Sequence, residues 1–262
     1  MALDEALLES VAARRQPPTL RLYRWQPACL SLGHAQPVEQ ADVARLEQMG
    51  WDLVRRATGG RAILHADELT YSITAPIDHA LAAGGVLGSY RLLSQGLLAG
   101  LRRLGVQADT APEQALGEAD RSNPVCFEVP SAHEITAGGR KLIGSAQLRR
   151  VSGVLQHGSL PLQGDLGRIT QVLSYEDESQ RASAAERVRR RAATLEDLLG
   201  VAVSWDQAAS AMTEGFREAL GLDFEAGEPQ VEETARAAEL ERRRYGNTEW
   251  SRRGGARGIP QD

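Results

Sequence analysis

Lysine is almost missing from this chain: of 30 basic residues only one, Lys141, is a lysine. Where arginine is so strongly preferred, a solitary ammonium marks a place where a compact, tunable cation has a use. Cysteine is nearly as scarce. Cys29 and Cys126 are too few for a disulfide framework and neither sits in a CxxC, so a reducing cytoplasm is the default compartment. No apolar run approaches the roughly 18 residues of a membrane span. The opening MALDEALLES is acidic and helix-like, unlike a secretory signal. HExxH, clustered Cys/His ligands and GxxxxGK are all lacking, so neither a metal centre nor a P-loop is indicated and no cofactor is expected. A net charge of −5 argues against general nucleic-acid binding.

What is present is an ordinary globular composition, 42% hydrophobic and 25% charged, in 262 residues, enough to bury a sizeable core. Residues 2–14 carry helical spacing and stop at Pro17-Pro18. Strand-like runs cover 21–25 and 29–32, and a helical period runs over 38–49 to Gly50. The stripe Leu87, Tyr90, Leu93, Leu97, Leu101, Leu104 predicts a helix over 87–104. A polar loop follows at 107–123, then strand-like 125–129, a hairpin with arms at 134–136 and 141–145, and a strand over 153–162 holding His157. Beyond Arg168 the chain reads as helical, with a cap at Thr194, a capping box at 204–207 and a last helix over 230–244. β-Hairpins with helices grouped around them predict a single α+β domain over 1–250, with a flexible tail at 251–262.

The stretch 55–71 organises the rest. Thr58-Gly59-Gly60 separates apolar runs at 51–54 and 62–64, which predicts a tight hairpin turn whose backbone N–H groups a ligand oxygen could approach. Arg55, Arg56 and Arg61 flank it, and His65, Asp67 and Glu68 follow. A second segment of the same design, Ala137-Gly138-Gly139-Arg140-Lys141, lies after Cys126. Cys29, among Ala28, Leu30 and Leu32, reads as a small buried hydrophobe. Cys126, after Asn123-Pro124, is the better nucleophile. A free thiol titrates at about 8.5, so a nearby cation is needed, and Lys141 or Arg140 could supply it. A turn at Gly138-Gly139 puts Lys141 opposite a residue near Thr136, so the 126 segment must fold back to reach it. His65, His133 and His157 offer a cysteine–histidine alternative that nothing local fixes.

Taken together and in order, RRATGGRAILHADELTYS, PVCFEVPSAHEITAGGRKLIGSAQ and VLQHGSLPL resemble the lipoate–protein ligase A / octanoyltransferase superfamily, closest to its cysteine-dependent octanoyltransferase branch, the LipM type. MALDEALL at the start and TEW at 248–250 extend the resemblance over essentially the whole chain. It implies the catalytic-domain fold of biotin and lipoate protein ligases, class II synthetase-like, a mixed β-sheet with packed helices. It also implies a reaction of endogenous lipoate biosynthesis. Octanoyl leaves the thioester of acyl carrier protein for an enzyme cysteine, then passes to a lysine of a lipoyl-type acceptor such as the glycine cleavage H protein. By motif, Cys126 is the acyl-thioester nucleophile and Lys141 the cation that lowers its pKa. Arg56, Gly59, Gly60, His65, Gly144, Ser145 and Ala146 line the acyl and thioester pocket.

Thioester exchange is nearly isoenergetic and needs no ATP. Burying the eight-carbon chain contributes about 5 kcal/mol at roughly 0.8 per methylene. The arginine-rich stretches 187–191 and 242–244 could meet acidic carrier and acceptor domains, or be solvated helix faces. The resemblance departs in two places. Family members usually carry a strand ahead of the MALDEALL helix, and the ligases tend to read GGGA where this chain has Gly59-Gly60-Arg61-Ala62. The runner-up activities are an ATP-dependent lipoate–protein ligase, in which Cys126 is incidental and Lys141 holds an adenylate, and an octanoyl-H-protein amidotransferase. A silent module docking acylated domains is the non-enzymatic alternative.

Overall fold

The computed structural model describes residues 1–111, 124–126 and 134–252. Most of the 107–123 loop, the strand expected beyond Cys126, His133 and the tail after Arg252 lie outside the described residues. Two sheets carry the site. The larger is antiparallel, with β1 (Thr19–Tyr23), β5 (Glu68–Pro76), β6 (Asp109–Thr110), β7 (Ile135–Ala137), β8 (Arg140–Arg149) and β9 (Gly153–Pro161) in the order β1-β5-β9-β8-β7-β6. β5 and β9 are buried along their whole length, as befits central strands covered on both faces.

Strand alternation divides β5 by face. Leu69, Tyr71 and Ile73 join the main core with Leu93, Leu97 and Leu101 of α3 (Gly85–Arg103) and Met212 and Phe216 further along the chain. The intervening Glu68, Thr70 and Ser72 face the other way. There Ser72 donates to Asp4 of α1 (Ala2–Ala12) at 2.8 Å. Asp4 also receives Arg21 (2.7 Å) and Tyr23 (2.8 Å). Burial alone would raise this carboxyl, but the chain's terminal ammonium, Arg21 and the Ser72 hydroxyl hold it well below the usual range.

The smaller sheet contains β2 (Cys29–Leu32), β3 (Asp52–Arg55) and β4 (Ile63–His65) in the order β3-β2-β4. This corrects the hairpin expected at Gly59-Gly60. β3 and β4 do not pair: β3 runs parallel to β2, β4 antiparallel to it on the other side, and the glycine loop crosses the end of β2. The helical period over 38–49 is also divided, into a short 3-10 turn at Val38–Gln40 and α2 (Val43–Met49), capped by Asp42 and closed by Gly50. Leu87, read as part of the apolar stripe, is half exposed near the start of α3.

The second half forms as its caps indicate. Asp177 caps α4 (Glu178–Arg191). Capping boxes at Thr194/Asp197 and Ser204/Gln207 open α5 (Leu195–Leu199) and α6 (Trp205–Leu220). α7 (Val231–Leu240) runs into a single π turn, Glu241–Tyr245, and then α8 (Thr248–Arg252). This terminal segment packs on α1 through Arg236 to Glu9 at 2.7 Å and Tyr245 to Glu5 at 2.5 Å. Ser251, where the tail was expected to begin, sits in α8 with its carbonyl held by Arg55. Among the described residues no helix is long and apolar enough to cross a membrane.

Candidate active site

Of two neighbouring arginines at the end of β3, Arg56 shapes the glycine loop. The Arg56 guanidinium donates to the Ser31 carbonyl (2.9 Å) and hydroxyl (2.8 Å) and to the carbonyls of Gly59 (3.0 Å) and Arg61 (2.9 Å). The loop is thereby fastened to β2. Burial pulls Arg56 down to about 10, against the nearby Cys126 sulfur, which leaves it cationic at neutral pH. The loop also presses on Gly33: a Cβ there would stand 1.9 Å from the Gly60 carbonyl oxygen, so only glycine fits.

Where the loop leaves β2 it picks up the segment that carries Cys126. Ala62 N–H donates to the Pro124 carbonyl and Cys126 N–H to the Ala62 carbonyl, both at 3.0 Å. Val125 pairs with Ala62 as an isolated parallel bridge. This is the fold-back that the register of the β7–β8 hairpin demanded, since Lys141 does stand opposite Thr136. Cys126 itself lies in a helical turn rather than in the strand expected over 125–129.

The result is a direct contact. Lys141 Nζ lies 3.3 Å from Cys126 Sγ, donates to the Cys126 carbonyl at 2.8 Å and makes a short ion pair with Glu134. Burial alone would favour the neutral amine, yet the charges of Cys126 and Glu134 outweigh it and raise Lys141 above an ordinary lysine. Arg140, the other cation considered, points to Asp197 at 3.8 Å. Cys29 is the buried hydrophobe that its neighbours suggest, its thiol pushed up to about 12 by burial.

A narrow cleft of about 350 Å³ opens beside the sulfur. Arg56, Gly60, His65 and Cys126 line one side, and Gly144, Ser145 and Ala146 the other, where they pair across β8–β9 with Ser159, Gly158 and His157. Of the site residues read from sequence, Gly59 and Lys141 are absent from these walls; the Gly59 carbonyl serves Arg56, and Lys141 stands behind the Cys126 sulfur. His65 is held at both nitrogens, Nδ1 at 2.6 Å from Glu68 and Nε2 at 2.7 Å from the Ser31 hydroxyl, and is stacked on Trp25 at 4.4 Å. His157 touches the Thr58 hydroxyl at 2.7 Å, and burial pushes it down to about 3, so its ring is neutral. Among the described residues no group of three or more His, Cys, Asp and Glu side chains is disposed to hold a metal ion.

A profile of the lipoyl protein ligase A/B catalytic domain matches residues 1–217. The chain belongs to this family. Among its members, Octanoyltransferase LipM of Exiguobacterium sibiricum is 39% identical over 259 residues, covering 96% of this chain and 92% of the relative. Octanoyltransferase LipM of Moorella thermoacetica is 39% identical over 254 residues, covering 97% and 93%. Of solved structures, the bi-partite lipoate protein ligase of Thermoplasma acidophilum superposes with a TM-score of 0.79 at 27% identity, over 99% of this chain and 92% of that one. A lipoate-protein ligase A bound with ATP gives 0.76 at 26%, over 96% and 92%. The fold is thus the α+β lipoate-ligase fold that the sequence motifs indicate.

Sequence reading does not single out Glu134, Ser31 or Glu68, which contact Lys141 and His65 here. In the sequence Glu134 is only the end of a hairpin arm. Its place beside Lys141 depends on the turn geometry at Gly138-Gly139, and no sequence pattern announces it.

Proposed function

We propose that this chain is an octanoyl-[acyl-carrier-protein]:protein N-octanoyltransferase that carries the acyl group as a thioester on Cys126. The observation that carries this reading is the 3.3 Å contact between Cys126 Sγ and the chain's single lysine at the edge of a narrow cleft. An ammonium so close favours the thiolate, the nucleophilic form of the thiol. The sulfur attacks the donor thioester carbonyl, a new S–C bond forms, and the donor sulfur leaves with its electron pair and is protonated by solvent. The acceptor's lysine amine then attacks the enzyme thioester. A C–N bond forms, Cys126 leaves, and the amine proton is released to solvent.

Gly144 keeps room for this chemistry, because a Cβ there would lie 3.5 Å from the sulfur and 3.2 Å from Lys141 Cε. Arg56, by bracing the glycine loop, and the strand floor at Gly144, Ser145 and Ala146 give the acyl chain a fixed slot shielded from water. Octanoyl-acyl carrier protein is the donor in this reading and the glycine cleavage H protein or another lipoyl domain the acceptor, acting in the cytoplasm. The resemblance to the cysteine-dependent octanoyltransferases supports that assignment.

The test is incubation with octanoyl-acyl carrier protein in the absence of ATP, followed by intact mass measurement. A hydroxylamine-labile octanoyl adduct is expected on the wild type and none on Cys126→Ser, which also loses amide transfer. A protein that acquires no adduct and lipoylates an acceptor only with ATP is a ligase, and the proposal falls.

A further inference from the structure

Three groups meet in the buried contact, yet the reaction as written uses two. Glu134 ends the approach to β7 and Lys141 lies in β8, so the β7–β8 hairpin holds carboxylate and ammonium together. Both side chains are 4–5% exposed. Cys126 arrives separately, through its backbone bond to Ala62. The position of the ammonium is therefore set by the hairpin and by its bond to the Cys126 carbonyl, neither of which uses the sulfur, so both remain available when the sulfur is acylated.

We propose that Glu134 is a positioning residue that keeps the proton shared by the Cys126–Lys141 pair on nitrogen, so that sulfur attacks, and later departs, as a thiolate. This rests on Cys126 being the acyl carrier. A cysteine–lysine pair with the amine buried and the sulfur half-buried, once it has lost one proton, can exist as thiolate with ammonium or as thiol with neutral amine. Only the first is nucleophilic. Burial favours the second, because it removes both charges from a poorly solvated site. A carboxylate in direct contact with the nitrogen and further from the sulfur reverses the preference.

The other charged and titratable groups around the pair agree. Arg56 acts on the Cys126 sulfur from the end of β3, and Tyr90 of α3 lies near both Glu134 and Cys126 with its phenol held neutral by burial. Among these described groups, with Lys141 and Arg56 cationic and Glu134 anionic, the charges sum to zero only when the sulfur is negative. In the second step the C–S bond breaks as the C–N bond forms, and the electron pair returns to a sulfur already facing a fixed ammonium. Lys141 stays charged throughout and takes no proton from the incoming amine.

Thiolate absorbance in the ultraviolet, followed against pH, tests this. Burial pushes Cys29 up to about 12, so the wild type minus Cys126→Ser difference, which cancels the tyrosinate absorbance, should show one step of single-thiolate amplitude. In Glu134→Gln the step should lose amplitude by about twofold or more, the remainder appearing only at higher pH. Glu134→Asp, which keeps the charge on a shorter arm, should recover part of it and is read in the same way if the Gln variant does not fold. Single-turnover transfer from the enzyme thioester to an acceptor should fall with the amplitude. Full amplitude in Glu134→Gln at a lower midpoint would mean that Glu134 is merely a neighbouring anion opposing the thiolate, and would overturn the proposal. The octanoyl adduct on the wild type is an independent measurement: its absence refutes the acyl-carrier reading, whereas a normal adduct with an unchanged titration refutes only the role of Glu134.

Discussion

Replacing Lys141 by methionine keeps most of the side-chain volume and removes the charge. At 3.3 Å and an effective dielectric of about 20, a unit-charge contact is worth about 5 kcal/mol before desolvation is subtracted. The larger consequence is for Glu134, whose carboxylate stays buried without that ammonium. Breaking a buried pair from one side costs about 3–5 kcal/mol, whereas removing both members is close to neutral. Lys141→Met should therefore lower the urea midpoint substantially, and Lys141→Met/Glu134→Gln should restore most of it. The sign with pH is fixed as well. In the single variant the folded carboxyl is harder to ionise than the unfolded one, so the folded state binds protons more readily and the penalty shrinks as pH falls toward about 5. Urea unfolding of the four proteins at neutral and mildly acidic pH measures both effects. A double variant as unstable as the single one, or a penalty that grows in acid, would refute the pairing on which the site is built.

Four further expectations are independent of that cycle. Cys29→Ala should leave octanoyl transfer and iodoacetamide labelling at neutral pH unchanged, since burial pushes that thiol up to about 12; loss of half the label would contradict it. Gly33→Ala should unseat the glycine loop, because its Cβ meets a backbone oxygen at 1.9 Å, and so lower both melting temperature and activity. Gly144→Ala, with its closest contact at 3.2 Å to a side-chain carbon, should mainly slow acylation, read from the adduct's rate of appearance. His157 sits at about 3 in the folded protein against about 6.5 unfolded, so the unfolded state binds more protons in acid. Its contribution is full above about pH 6.5 and is lost at about 1.4 kcal/mol per unit below it. His157→Asn should flatten the acid limb of a plot of urea midpoint against pH, and an unaltered limb counts against a neutral His157.

The parts of the fold that were legible in the sequence are those fixed locally. Gly138 and Gly139 both take positive φ, 57° and 74°, and the pairing next to the turn, Ala137 with Arg140 and Thr136 with Lys141, follows from it. The capping boxes at Thr194 and Ser204 are likewise decided within four residues. The first glycine pair misled because β2 and β3 pair in parallel across α2, a non-local choice that the 51–64 stretch does not encode. Cys126 and Lys141 could each be singled out by residue type, but their contact depends on Val125 docking against Ala62, far away in sequence. Glu134 is a different case: its contact with Lys141 is made within the β7–β8 hairpin, past the register shift between Ile135 and Thr136, which no sequence pattern marks.

Arg55 and Arg56 are consecutive residues in extended backbone and so project to opposite sides. One guanidinium grips the glycine loop; the other grips the carbonyls of Gly33, Gln36 and, in α8, Ser251. The last helix and the cleft wall thus share two adjacent α-carbons as a common mooring. Trimming the chain back before Ser251, though that residue touches no part of the cleft, should loosen the wall on which the acyl chain would lie.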